Sequence, residues 1–159
     1  MEGEITDEMA TQWGAMLLYW RMENPKLPGR IEIDSPGGSV TATLAFLDIM
    51  ASVGFPVHTH CPSYASGCAV LVLARGTKGF RSVGPDVTIG MCPTTGAAAN
   101  STANPEQVAH FLVELRNRIL DEFCAATNRT REEIAALQEQ ECVFTAQGAL
   151  AYGLVDRVC

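Results

Sequence analysis

Apolar side chains recur along this chain at two different spacings, and the switches between them mark out the elements. Over residues 7–22, Met9, Trp13, Met16, Leu17 and Trp20 fall three and four apart, the stripe of an amphipathic helix. Arg30-Ile31-Glu32-Ile33-Asp34 changes to strict alternation, the mark of a half-buried strand, and breaks at Ser35-Pro36-Gly37-Gly38. Helical spacing returns from Val40 to Ser52, with Val40, Leu44, Leu47 and Ala51 on one face and Gly54 placed to end it. Pro56 to His60 predicts a strand. Cys68 to Ala74 is an unbroken apolar run that fits a buried helix or a buried strand equally well. Arg81 to Met91 predicts an extended segment, and Thr94 to Ala103, small and polar, a loop or extended projection with no core of its own.

The longest helix is predicted to begin at Asn104-Pro105, with asparagine as cap and proline in the first turn, and to run through Val108, Leu112, Leu115, Ile119 and Phe123. Its length of ~30 Å exceeds what a domain of this size needs to close its own core, so projection toward a partner is expected. Thr130-Arg131-Glu132-Glu133 is a capping box opening another helix, and Thr145 caps one that ends at Gly153. Alternating helices and strands without repeat or linker predict one α/β domain over residues 1–159.

Composition narrows the function classes. The chain has 11 basic and 18 acidic side chains, a net charge of −7, and no cluster of Lys or Arg, which argues against a nucleic-acid partner. Apolar residues make up 47% and charged ones only 18%, so the chain folds, and part of its low-charge surface is expected to lie against neighbouring subunits. The apolar run from Cys68 to Ala74 is far too short to span a bilayer, and the acidic start does not look like a signal peptide. Cysteines at 61, 68, 92, 124, 142 and 159 show no metal-ligand spacing. No metal and no cofactor are expected, and reduced thiols are. The glycosylation patterns at Asn100 and Asn128 weigh little against that.

Two places look chemical. Gly37-Gly38, between a strand and a helix, would let backbone N–H groups approach a ligand, which suits an oxyanion hole or simply a tight turn. Ser66, in Pro62-Ser63-Tyr64-Ala65-Ser66-Gly67-Cys68, has the setting of a nucleophile elbow without its full glycine pattern, with the Gly67 N–H as a second donor; a plain helix cap is the competing reading.

Together with three further segments, these residues resemble the Clp protease proteolytic subunit family. Gly3 to Ala10 is similar to the family's opening segment, Asp34 to Gly38 to its Asn-Ser-Pro-Gly-Gly, and Ala65-Ser66 to its nucleophile motif. Lys78-Gly79-Phe80-Arg81 and Thr145 to Asp156 resemble two later motifs, in the same order. The resemblance implies a crotonase-like fold of stacked βαβ units with a protruding handle over residues 94–127. It implies a Ser-His-Asp triad, with Ser66 at the nucleophile position and Gly38 and Gly67 as oxyanion-hole equivalents. The histidine position holds Met91, in Met91-Cys92-Pro93, and the aspartate position holds Glu141, beside Gln140.

A thioether takes no proton at physiological pH, so the base is missing. His58, His60 and His110 are expected to be structural or surface residues, and Cys92 an inert thiol. Three readings follow. The chain is a non-catalytic, R-type subunit of a mixed Clp protease core, in a seven-membered ring of a double-ring barrel with catalytic homologues and an AAA+ chaperone as partners; or an active serine endopeptidase with an atypical triad; or a crotonase-type acyl-CoA enzyme. The resemblance implies a plastid stroma, or the cytoplasm of a cyanobacterium.

Overall fold

The structure, a computed structural model, describes residues 1–93 and 104–159. In chain order the elements are α1 (Asp7–Glu23), β1 (Gly29–Glu32), α2 (Val40–Ser52), β2 (Val57–Cys61), β3 (Tyr64–Ser66), α3 (Cys68–Ala74), β4 (Arg81–Val83), β5 (Thr88–Gly90), α4 (Pro105–Thr127), α5 (Arg131–Glu139), β6 (Val143–Phe144), α6 (Ala146–Tyr152) and β7 (Arg157–Val158). The segment Thr94–Ala103, read from sequence as a loop or handle strand, lies outside the described residues.

Strands β1, β2, β4 and β7 form a wholly parallel sheet in that order, and β3, β5 and β6 form a second, mixed sheet. Parallel neighbours need helical crossovers, and α2 and α3 supply them. Ile31, Val57, Cys61 and Val83 point to the buried side of the larger sheet. Beneath them α3 is buried from Ala69 to Ala74, and the ambiguity at Cys68–Ala74 resolves in favour of helix.

Helix α1 follows its sequence reading in part. Leu17 is buried and Trp13 packs edge-on against Phe46 with ring centroids 5.9 Å apart, whereas Met16 is 68% exposed and Trp20 is exposed as well. Ala10 and Gly14 complete the buried face: a Cβ at Gly14 would sit 2.5 Å from Ile49 Cδ1, so small residues set the approach to α2. The single extended segment predicted at 81–91 is likewise two strands. Gly84-Pro85-Asp86 interrupts it, and Pro85 has no N–H to give to a ladder.

The predicted ends hold. Asn104 accepts from the Glu106 N–H ahead of Pro105, Thr145 accepts from Gly148, and Gly153 closes α6 at φ 91°. Thr130 and Glu133 satisfy each other's backbone N–H groups in a complete capping box. Thr130→Ala is therefore expected to cost about 1 kcal/mol in urea unfolding, and Thr130→Asn much less.

Helix α4 is anchored only in its second half. Ile119, Leu120, Phe123 and Ala126 are buried, whereas Phe111 and Val113, two turns earlier, are exposed. Arg118 reaches Asp48 on α2 at 2.9 Å, and Arg116 reaches Glu139 on α5 at 2.8 Å. Exposed pairs like these contribute at most about 1 kcal/mol each, so the buried apolar foot carries the attachment. Among the described residues no helix is long and apolar enough to cross a membrane, and no group of three His, Cys, Asp or Glu could hold a metal.

Candidate active site

The glycine turn and the serine turn meet because the two strands leading to them are joined end to end by backbone bonds. The Ser35 N–H donates to the Tyr64 carbonyl, and the Ser66 N–H to the Ser35 carbonyl at 3.0 Å. The Ser63 hydroxyl adds a bond to Asp34 Oδ2 at 2.8 Å, so the acidic residue at position 34 ties one turn to the other. Residues 1–5 lie outside the glycine turn as an added parallel strand: the Ile5 N–H donates to the Gly37 carbonyl and its own carbonyl accepts from Ser39. Both glycines are obligatory. Gly37, at φ 93°, would put a Cβ 2.8 Å from the Ser66 carbonyl oxygen, and Gly38, at φ 147°, would drive one into the backbone of Ile5.

Ser66 ends β3 and is 5% exposed. It stands at the edge of a groove of about 1100 Å³ that also touches Gly37, Gly38, Gly67, Cys68 and Cys92, with Phe111, Leu112 and Leu115 of α4 as its far wall. The Gly38 N–H makes no hydrogen bond among the described residues and is available to a ligand oxygen. Gly67 turns the chain into α3 at φ 52° and ψ −124°, a conformation open to glycine at little cost. Its N–H, however, donates to the Gly90 carbonyl at 3.0 Å. The expectation of two free oxyanion donors is corrected to one, because pairing of β3 with β5 uses the second.

The second sheet brings the three triad positions to one end, with Ser66 level with Gly90 and the Met91 N–H donating to the Cys142 carbonyl at 2.8 Å. Met91 is 1% exposed and packs in the hydrophobic core. Glu141 occupies an exposed turn at φ 49°. The Ser66 hydroxyl lies 3.2 Å from Cys92 Sγ. That contact was not legible in the sequence, where Cys92 read only as an inert thiol beside the lost histidine. The other groove thiol, Cys68, is pushed upward in pKa by burial, against a hydrogen bond with Thr43. Such a thiol is a poor nucleophile.

The three histidines are elsewhere, as expected. His58 stacks on Phe80 with ring centroids 4.2 Å apart, His60 Nδ1 lies 2.9 Å from the Ser82 hydroxyl, and His110 sits on the exposed part of α4 beside Glu114. Burial, with help from Arg30, lowers the pKa of His60 against the opposing charge of Glu32.

Two of the motifs found in the sequence have a structural job away from the groove. Arg81 is 4% exposed and lays its guanidinium on Asp156 through Nε at 2.9 Å and Nη2 at 2.6 Å. Its remaining nitrogen, Nη1, donates to the carbonyls of Ala74 and Ala126, the ends of α3 and α4. Asp156 also accepts from the backbone N–H groups of Gly79 and Arg81. Burial alone would raise its pKa, but the hydrogen bonds from Arg81 outweigh that and hold the carboxyl below its usual range.

A wholly parallel sheet and a smaller mixed one, with helical crossovers and a glycine turn set beside a serine at a strand-to-helix junction, define the class: an α/β domain of stacked βαβ units. A family model for Clp protease matches residues 1–159, and the chain belongs to that family. It is 32% identical over 155 residues to ATP-dependent Clp protease proteolytic subunit 2 of Chlamydia pneumoniae, covering 98% of this chain and 76% of that protein. It is 31% identical, with the same coverage, to the protein of that name in Chlamydia abortus.

Proposed function

We propose that the chain is a non-catalytic, R-type subunit of a Clp protease core. It occupies positions in seven-membered rings with catalytic homologues and helps to shape the chamber on which an AAA+ chaperone docks. The observation that carries this reading is the partner of the Ser66 hydroxyl, a thiol in place of an imidazole, with methionine at position 91. A serine without a general base keeps an alcohol's reactivity. The exposed upper half of α4 and the outward-facing Met16, Tyr19 and Met22 of α1 are apolar surface that neighbouring subunits would cover. The location of such a core, a plastid stroma or a cyanobacterial cytoplasm, follows from the resemblance alone.

Co-expression with a catalytic relative tests the assembly claim. Native mass spectrometry is expected to find this chain inside mixed fourteen-subunit particles, with peptide cleavage per particle falling as its share rises. A chain that stays monomeric beside assembled relatives would overturn the reading.

A further inference from the structure

We propose that Gln138 is a ligand-contacting residue of the groove, whose side-chain amide takes the main chain of an extended peptide segment carrying a basic side chain. A subunit without a general base would hold such a segment without cutting it, and in this the proposal rests on the reading above. Helix α5 buries two residues one turn apart, Ile134 and Gln138. Ile134 packs in the hydrophobic core. Gln138, only 5% exposed, lines the groove together with Cys92, Ile119 and Phe123. Its backbone carbonyl accepts from the Glu141 N–H at 3.1 Å, but its side-chain amide makes no hydrogen bond among the described residues. The other buried polar side chains there, Ser35, Thr43, Thr59, Ser66, Arg81 and Thr127, all have partners. Buried polar groups are nearly always bonded, so an amide left open on a groove wall marks a place for a ligand.

The shape of the unmet need identifies the ligand. A primary amide offers one acceptor and two donors. In extended backbone the N–H and C=O of one residue point to the same side, as the paired bonds of antiparallel strands require, so one such residue satisfies one amide. The rest of the groove fits the same segment. The free Gly38 N–H can donate to a further carbonyl, and Phe111, Leu112 and Leu115 give apolar side chains a wall. Glu4 and Asp7 line the groove at the glycine turn, and neither is paired with a cation among the described residues. A lysine or arginine of the segment belongs at that end. Gln138 gives up no existing bond on binding, so its contact with the segment is not offset by a loss inside the chain.

The test uses the full chain purified without its relatives, so that every groove in the sample is this one. The probe is a fluorescein-labelled decapeptide of leucine and alanine with one lysine, read by fluorescence anisotropy. The native chain is expected to bind it, and Gln138→Met to bind about tenfold more weakly, the effect of one or two hydrogen bonds. N-methylation of the peptide at one position should weaken native binding by a similar factor and leave Gln138→Met unaffected. Replacing the lysine with glutamate should weaken binding about threefold or more. A second measurement does not depend on the peptide: with no bond to lose, Gln138→Met should unfold in urea at a midpoint equal to or above the native one. No binding by the native chain at millimolar peptide, binding indifferent to Gln138→Met or to the lysine, an N-methyl scan with no such position, or a lower urea midpoint would each overturn the proposal. None of these outcomes alters the mixed-particle readout, so the two readings fail separately.

Discussion

A fluorophosphonate is expected to label Ser66 in this chain about 10⁴-fold more slowly than it labels the nucleophile of a co-expressed catalytic relative, and at a rate close to the Ser66→Ala background. The size follows from what the site lacks. Removing one member of a serine triad costs on the order of 10⁴–10⁶ in rate, because the residual catalysis comes from oxyanion donors and binding alone. Here the hydroxyl faces sulfur, a weak acceptor, and one of the two candidate oxyanion donors is already bonded to the Gly90 carbonyl. Time-resolved labelling followed by mass spectrometry of the peptide containing Ser66 makes the measurement. A rate within tenfold of the catalytic relative would restore the reading as an active peptidase.

Replacing Arg81 with methionine is expected to destabilise the chain by about 3–5 kcal/mol. The substitution fills part of the space but leaves the Asp156 carboxylate, 22% exposed, facing an apolar side chain, and strands the carbonyls of Ala74 and Ala126. Arg81→Lys should recover only part of the loss, since an ammonium cannot reproduce a two-pronged contact with the carboxylate plus two carbonyl bonds. Urea unfolding of the full chain gives the difference directly. The pH dependence carries a signature of the same pair. A carboxyl held below its ordinary pKa contributes stability above the unfolded value near 3.9, and loses it as pH falls through the lower folded value. Asp156→Asn should therefore be less stable than the native chain at pH 7 and lose less on acidification.

These two predictions draw on different kinds of legibility. Local chemistry was readable: Asn104-Pro105, the Thr130 box, Thr145 and Gly153 act within four residues of themselves, and each end falls where its cap puts it. The face of α1 was legible at Trp13 and Leu17 but not at Met16 and Trp20, because the close approach there is set by Gly14 against Ile49, a residue one helix away. The same limit applies at the site. Ser66, Gly38 and Gly67 could be picked out by type and turn, but the loss of the Gly67 N–H to Gly90 and the facing of Cys92 depend on how β3 pairs with β5. Motif order located Arg81 and Asp156 without saying that they bind each other. Only the fold brings them together.

Arg81 and Asp156 are 75 residues apart in sequence. A growing chain therefore holds a guanidinium that has to stay in water until α4, α5 and α6 have all been made. The carbonyl of Ala126 becomes available on the way, but the carboxylate arrives last. Closure of the larger sheet onto α3 thus waits for the far end of that stretch, and an incompletely made chain carries a cationic β4 that resists burial. Until the last strand is made, β4 also lacks its neighbour β7, so the ion pair and the sheet edge close together.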